Sequence, residues 1–248
     1  MRVLWFLASL GFTACMVALW QLASATGMAS QIFLPAPSRV WEALMAGFSS
    51  GDMPAKLGAT TARVFAGWAL ASLLGVALGA LIGVSSRARI YIAPSLEFLR
   101  PLPVSALVPI FIGLLGYSEQ MVLVVIAFGA FWPCLLSTIY GFSAVEPRLY
   151  EVSSVLGLSR WSMIREIALP SALPDIVAGM RVGLTVSLIL VVVAEILGSR
   201  EGIGYNILLA QRSFKSADLF AGIILLGMIG YASAMAINWV ESRLVRWR

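Results

Sequence analysis

Long apolar stretches separated by short charged segments run along the whole chain. Residues 3–38 contain no Asp, Glu, Lys or Arg, and residues 3–25 within them form a first apolar run. A helix needs about 20 mainly apolar residues to cross a bilayer. Further runs of suitable length lie near residues 64–84, 102–117, 121–142, 178–198 and 218–240. The pattern therefore predicts a bundle of about six transmembrane helices.

The fifth of these predicted spans is the one with ionisable residues inside it. Arg181 and Glu195 interrupt an otherwise apolar run. An ionisable group at membrane depth is a functional hypothesis by default, because burying a charge in lipid is costly. Glu195 is therefore predicted to line or gate a translocation pathway. The alternative is an interfacial glutamate near the outer surface, paired with Arg200 or a similar residue.

The composition supports an all-α integral membrane protein. Hydrophobic residues make up 60% of the chain and charged residues only 12%, whereas soluble domains carry roughly 25% charged residues. The net charge is +5, but the basic residues lie between the apolar runs and do not form a groove for nucleic acid. The chain has no histidine, and Cys15 and Cys134 both fall inside apolar runs. Histidine-based catalysis and a zinc site are therefore not expected.

The distribution of Lys and Arg predicts the orientation in the membrane. With six spans and the N-terminus inside, eleven basic residues lie in inside segments and six lie in outside segments. Because basic residues are enriched on the cytoplasmic side, both termini are predicted to be cytoplasmic in a multi-pass inner-membrane protein. A cleaved signal peptide is the alternative for the first run, but its apolar stretch exceeds the usual 7–15 residues, which favours a retained helix.

Two spans carry glycines at a spacing of four residues. Gly75, Gly79 and Gly83 form one such ridge, and Gly179 and Gly183 form another. Ridges of small residues let a neighbouring helix backbone approach closely. The ridges are predicted to pack helices within the bundle; the alternative is a subunit interface or an element that moves during transport.

The segment between the fourth and fifth predicted spans lies on the predicted cytoplasmic side. Pro147 suits the first position of a helix, and Gly157 is expected to end that helix. Ser159 can cap a second helix, which Pro170 and Pro174 are expected to end. Apolar residues recur at helical spacing in each: Leu149, Val152, Val155 and Leu156, then Trp161, Ile164, Ile167 and Ala168. The pattern predicts a bent pair of amphipathic helices, either a structural interfacial hairpin or a docking element for a cytoplasmic partner.

Part of this segment resembles the EAA loop of permease subunits of bacterial ATP-binding-cassette (ABC) importers. That pattern is Glu-Ala-Ala, three residues, Gly, nine residues, then Ile-x-Leu-Pro. Here Glu151 precedes Gly157 by six residues, and Ile167, Leu169 and Pro170 follow after nine more. The chain departs from the pattern at Val152-Ser153, which stands in place of Ala-Ala.

Other motifs resemble the nitrate, sulfonate and taurine branch of these permeases. The similar region covers about residues 35–248, with an EAA-type loop at 147–170, whereas residues 1–34 hold the first span and the start of a periplasmic segment. The motifs are Leu99-Arg-Pro-Leu-Pro103, Ala194-Glu-Ile-Leu197, Gly202-Ile-Gly-Tyr205 and Glu241-Ser-Arg-Leu-Val-Arg-Trp-Arg248.

The resemblance implies a type I importer fold and a coupling role for the loop. In that family the loop sits in a cleft of an ATPase subunit and moves as the ATPase dimer closes and opens, which drives alternating access of the pathway. The residues it implicates are Glu151, Ser153, Gly157, Arg160, Ile167, Leu169 and Pro170.

The chain is not expected to bind ATP or any other cofactor itself. A phosphate-binding loop needs Gly-x4-Gly-Lys-Ser/Thr, and neither Lys56 nor Lys215 stands in that pattern. ATP and magnesium are thus expected on a separate, non-permease polypeptide, and this chain is expected to be a transport subunit and not an enzyme. The resemblance implies two ATPases, a periplasmic solute-binding protein and a second permease copy, with a pair of related permeases as the alternative to a homodimer.

The resemblance favours a small anion such as a sulfonate, taurine or nitrate as the solute. Bicarbonate, aromatic carboxylates and a thiamine-precursor pyrimidine stay open, because the binding protein largely sets specificity in this family. The alternatives to an importer subunit are an ATP-independent secondary transporter and a structural membrane subunit.

Overall fold

The computed structural model describes residues 2–27, 30–49, 51–99, 101–199 and 201–244, and no strand occurs among them. Eleven α-helices and one π-helical turn, Ile164–Ala168, lie in these residues. The helices are α1 Arg2–Ala25, α2 Pro37–Ser49, α3 Asp52–Gly83, α4 Ser86–Leu99, α5 Val104–Leu115, α6 Glu119–Ser143, α7 Pro147–Val155, α8 Arg160–Met163, α9 Leu169–Gly198, α10 Ile203–Arg212 and α11 Ser216–Leu244.

Within the described residues, five helical stretches are long and apolar enough to cross a membrane. They are Leu7–Ala25, Asp52–Gly83, Glu119–Ser143, Arg160–Gly198 and Ser216–Arg243. The predicted all-α, multi-span membrane fold is therefore confirmed.

The predicted span near 102–117 is the exception, and it is shorter than a full crossing. It forms α5, whose 12 residues extend about 18 Å at 1.5 Å per residue, against a hydrocarbon core of about 30 Å. Pro103 at its start is extended, with ψ 108°, and Gly116 at its end has φ +68°. Both residues break the helix inside a run that hydropathy alone reads as continuous.

The chain folds into two compact units, and helices α3 and α11 each contribute residues to both. The first unit comprises residues 1–59 and 200–228. Its core brings together α2, α10, the start of α3 and the start of α11 through Val40, Leu44, Ile203 and Leu225. The indole of Trp20 lies 5.7 Å from the ring of Phe220, measured between centroids.

The second unit, residues 60–199 and 229–248, is built around α6. Glycine ridges of α3 and α9 both pack on this helix. A Cβ added to Gly79 of α3 would lie 2.6 Å from Thr138 Cβ, and one added to Gly179 of α9 would lie 2.5 Å from Ser137 Cβ. Because glycine has no side chain, the backbones of α3 and α9 can therefore each approach α6 closely. Both ridges face a helix of the same chain.

We expect Gly79→Ala to destabilise the bundle strongly. The new methyl group would lie 2.8 Å from the backbone oxygen of Leu135 as well as against Thr138, and a backbone atom cannot rotate away. Overpacking of this kind costs typically 1–3 kcal/mol, which should lower the apparent thermal unfolding temperature in detergent by several degrees. Gly113→Ala on α5 is the matched control, because a Cβ there meets nothing within 4 Å. Equal effects of the two substitutions would contradict this packing.

Candidate functional site

The segment between α6 and α9 forms a sharp bend. Helix α7 begins at Pro147 and ends at Val155, and Gly157 follows with φ +66°. The Oγ of Ser159 accepts a hydrogen bond of 3.1 Å from the backbone N–H of Ser162 and so caps α8. The predicted glycine bend and serine cap are confirmed.

The apolar stripe predicted on α7 is exposed. Val155 is 87% exposed, and Val152, Leu156 and, on α8, Trp161 are also exposed. The residue of α7 that is buried is Ser153, whose hydroxyl donates to the carbonyl of Tyr150 at 2.7 Å. A group of neighbouring exposed apolar side chains is typical of an interaction site. The charged side chains of Glu151, Arg160 and Arg165 are exposed around it.

A small core anchors the bend to the long helices. Phe142 and Val145 pack with Ala168 and Ile176 of the following segment, and Tyr150 and Ile167 join them as half-buried members. Burial raises the pKa of the Tyr150 hydroxyl, against the opposing effect of Arg89. Side-chain packing therefore connects the bend to α6 and α9.

The expectation that Pro170 and Pro174 end the second helix is wrong. The helix continues from Arg160 to Gly198, with Pro170 in the first turn of α9 and Pro174 inside it. The π-helical turn Ile164–Ala168 precedes Pro170, and the backbone N–H of Leu169 bonds the carbonyl of Ile164, five residues earlier. Such a widened turn can accommodate a proline ring without breaking the helix. Leu169 is exposed and Pro170 is half-buried.

A second candidate site is an ion cluster that joins α3, α6 and α9. Arg63 of α3 donates from Nε and Nη2 to the two carboxylate oxygens of Glu119 at 2.7 and 2.8 Å. Its Nη1 donates to Glu195 Oε1 at 2.8 Å. The hydroxyl of Thr60 donates to both oxygens of Glu195, at 2.9 and 3.1 Å.

The structure corrects the interfacial alternative for Glu195. Its side chain is fully buried, and Arg63, which is nearly buried, is a cationic partner among the described residues. Arg200, the partner named in that alternative, lies outside the described residues. Glu119, the third member, is 56% exposed. Because desolvating a charge costs several kcal/mol, Glu195 is stable at this depth only with such partners. The cluster therefore fixes α3 against the start of α6 and the last turn of α9.

These partners of Glu195 were not predicted from the sequence. The apolar run begins at residue 64, so the hydropathy pattern places Arg63 just outside the membrane. In the structure α3 already begins at Asp52, and Arg63 lies three turns inside this helix. Glu119 likewise stands just before an apolar run in the sequence, and in the structure it lies in the first turn of α6. The signal that could have found them is the extension of helical periodicity beyond the apolar run.

The structure thus shows a multi-span helical membrane protein with an anchored, exposed apolar bend between two long helices. Residues 71–247 match the family described as the binding-protein-dependent transport system inner membrane component, and the chain belongs to this family. It is the permease component of an ABC importer, and ATP hydrolysis lies with a separate ATPase.

The similar proteins are permeases of the branch that the sequence motifs indicated. The chain is 34% identical to the aliphatic sulfonates transport permease protein SsuC of Bacillus subtilis, over 95% of this chain and 85% of that protein. It is 28% identical to the taurine transport system permease protein TauC of Escherichia coli, over 96% and 89%. It is 30% identical to the nitrate import permease protein NrtB of Leptolyngbya laminosa, over 77% and 68%.

A solved structure of the MetNI methionine ABC transporter in an inward-facing conformation has the same fold. The TM-score is 0.63 at 19% identity, over 77% of this chain and 93% of that chain. The predicted type I importer fold is confirmed.

Proposed function

We propose that two copies of this permease assemble with two ATPase subunits and a periplasmic binding protein, and that the segment 147–170 of each copy docks on one ATPase. ATP and magnesium are held by the ATPases. In this proposal both termini lie in the cytoplasm, and α5 with its flanking residues makes the sixth crossing. The bend then lies on the side where ATP is available. ATP binding then shifts the population between inward-open and outward-open states.

The exposed apolar surface of α7 and α8 carries this proposal. Val155, Leu156 and Trp161 present it, while the core around Phe142 and Ile176 holds the bend to the long helices. An element that is apolar outward and firmly packed inward can receive force from a partner and transmit it. A structural hairpin would instead bury its apolar side on its own chain or in the lipid interface, and it would make no contact with an ATPase.

The ion cluster is proposed to close the outer end of the pathway. With the termini inside, the start of α3, the start of α6 and the end of α9 all lie at the periplasmic side. Arg63 joins α3 to α9 through Glu195 and to α6 through Glu119, so the outward-open state requires these contacts to rearrange. Glu195 thereby acts on the translocation pathway.

The solute is proposed to be a small anion, with organic sulfonates favoured over nitrate. The sequence relatives are named for aliphatic sulfonates, taurine and nitrate, and the relative named for sulfonates shares 34% identity. The complex is to be reconstituted in nanodiscs with the binding protein encoded beside it. We expect butanesulfonate or taurine with the binding protein to stimulate ATP hydrolysis severalfold over binding protein alone, and nitrate to stimulate it less. Stimulation only by solutes that lack a sulfonate or other anionic group would contradict this assignment.

Gly157→Val is expected to uncouple ATP hydrolysis from transport. Gly157 has a positive φ and open space around it, so the substitution acts through backbone strain of about 1–2 kcal/mol and changes the shape of the bend. Solute uptake per ATP hydrolysed should fall at least about tenfold. Gly157→Asn is the matched control, because asparagine tolerates this backbone conformation, and it should retain most of the coupling. Full coupling in the valine variant would show that the bend has no role.

A further inference from the structure

Helices α3, α9 and α11 of the second unit enclose a cavity of about 250 Å³. Its wall is almost entirely apolar and includes two aromatic rings. The Nε1 of Trp68 donates to the carbonyl of Met180 at 2.8 Å, so this indole offers its apolar ring surface to the space and has no donor left for a ligand. Lining residues on the three helices include Phe65, Trp68, Met180, Leu184, Ser233 and Ala236.

One polar group on the cavity wall has no partner. Ser233 is 2% exposed, and its hydroxyl makes no hydrogen bond among the described residues. Serine in a spanning helix commonly bonds the carbonyl four residues earlier, as Ser187 does to Gly183 at 2.9 Å. An unpaired buried hydroxyl is unfavourable. The cavity wall therefore contains a hydroxyl that the described residues leave unpaired.

An ion pair adjoins the cavity. Arg181 and Glu241 directly follow the lining residues Met180 and Val240 in the chain, and Arg181 Nη2 donates to a carboxylate oxygen of Glu241. The side chain of Arg181 is 45% exposed, and a guanidinium has five N–H donors in a planar fork. Arg181 can thus bind the anionic group of a ligand, either together with Glu241 or in place of Glu241. A cation and an apolar cavity lie side by side.

We propose that this cavity binds the alkyl group of an organic anion, a short-chain alkanesulfonate, while Arg181 holds its anionic group in competition with Glu241. The inference rests on the proposed import of a small anion and adds a site within the permease that recognises the apolar substituent. A bare inorganic anion would leave the cavity unfilled. Solutes with an alkyl chain of a few carbons are thereby selected over nitrate inside the membrane as well as by the binding protein.

The test is direct binding of radiolabelled methane-, butane- and hexanesulfonate to the permease–ATPase complex in phosphatidylcholine nanodiscs, without binding protein. Burial of each methylene should raise affinity about threefold to fourfold. Ala236→Leu narrows the cavity, so hexanesulfonate should no longer bind with higher affinity than butanesulfonate. Ala234→Leu places the same side chain on the opposite face of α11, and it should leave the series unchanged. Arg181→Gln should weaken all three ligands by a similar factor while the dependence on chain length persists.

Three outcomes would overturn the proposal. The three sulfonates could bind equally, or Ala236→Leu and Ala234→Leu could behave alike. Native mass spectrometry could also show a phospholipid that the native chain retains and Ala236→Leu loses, in which case the cavity is a lipid site. The same preparation is also tested for stimulation of ATP hydrolysis by the loaded binding protein. If only the cavity site is wrong, this stimulation persists; if the proposed function is wrong, the stimulation is absent.

Discussion

Arg63→Met is expected to destabilise the protein by about 3–5 kcal/mol, because it removes the guanidinium from a fully buried carboxylate. Glu195 then keeps the hydrogen bonds from Thr60 but loses its cationic partner. The substitution also frees the exposed Glu119 from the start of α3. The apparent unfolding temperature of the detergent-purified protein, followed by intrinsic fluorescence, should fall more than for any surface substitution.

Two further variants make this prediction specific. Glu119→Gln removes a charge that is more than half exposed, so it should cost much less than Arg63→Met. Arg63→Met combined with Glu195→Gln removes both buried charges, and it should recover part of the lost stability, because coupled residues are not additive. Additive losses in the double variant would show that the two side chains act independently.

Val155→Glu is expected to release the ATPase. Burying a valine side chain contributes about 1.5 kcal/mol or more, and an unpaired carboxylate at a dry interface costs further free energy. We therefore expect affinity for the ATPase to fall at least about 100-fold, which corresponds to about 2.7 kcal/mol. Co-purification through a tag on the permease should fall to background.

The fold of the permease should survive this change, because Val155 projects into solvent. An unchanged unfolding temperature of the permease alone would check that point. Val155→Leu keeps the surface apolar and should retain the ATPase. Ser154→Glu introduces the same charge at the neighbouring position of α7, and it should weaken binding less. Full retention of the ATPase by Val155→Glu would place the docking surface elsewhere.

Hydrophobic runs predicted the long helices but not the break around α5. A hydropathy average taken over this run does not register Pro103 and Gly116 as breaks. The backbone conformation at these two residues determines where helix α5 begins and ends. The converse error occurred at Pro170, where a stop was expected. The π-helical turn Ile164–Ala168 lets the helix continue, and no single-residue propensity encodes it.

The sequence identified Glu195 as unusual but not its partners. A charge inside an apolar run is visible locally, but Arg63 and Glu119 are 132 and 76 residues away in the chain. Their pairing depends on how α3, α6 and α9 pack. Glycine spacing did indicate close helix packing, yet only the structure identifies α6 as the helix between the ridges of Gly79 and Gly179.

The segment 147–170 was predicted in outline because its spacing is local. Gly157 and Ser159 act on adjacent backbone, so the bend could be derived from the residues themselves. Periodicity shows that Val152 and Val155 share a face, but it cannot say whether that face packs on the same chain or on another. Their exposure is therefore the decisive structural observation for the role of this segment.

Site-specific photocrosslinking from this surface tests the central claim most directly. A photoreactive amino acid at Trp161 in the intact complex should crosslink to the ATPase, and the yield should change when a nonhydrolysable ATP analogue closes the ATPase dimer. The same probe at Val182, on the spanning part of α9 and also exposed, should give no ATPase adduct. If Trp161 gives no adduct while solute uptake persists in cells lacking the ATPase, this chain is not an ATP-coupled permease.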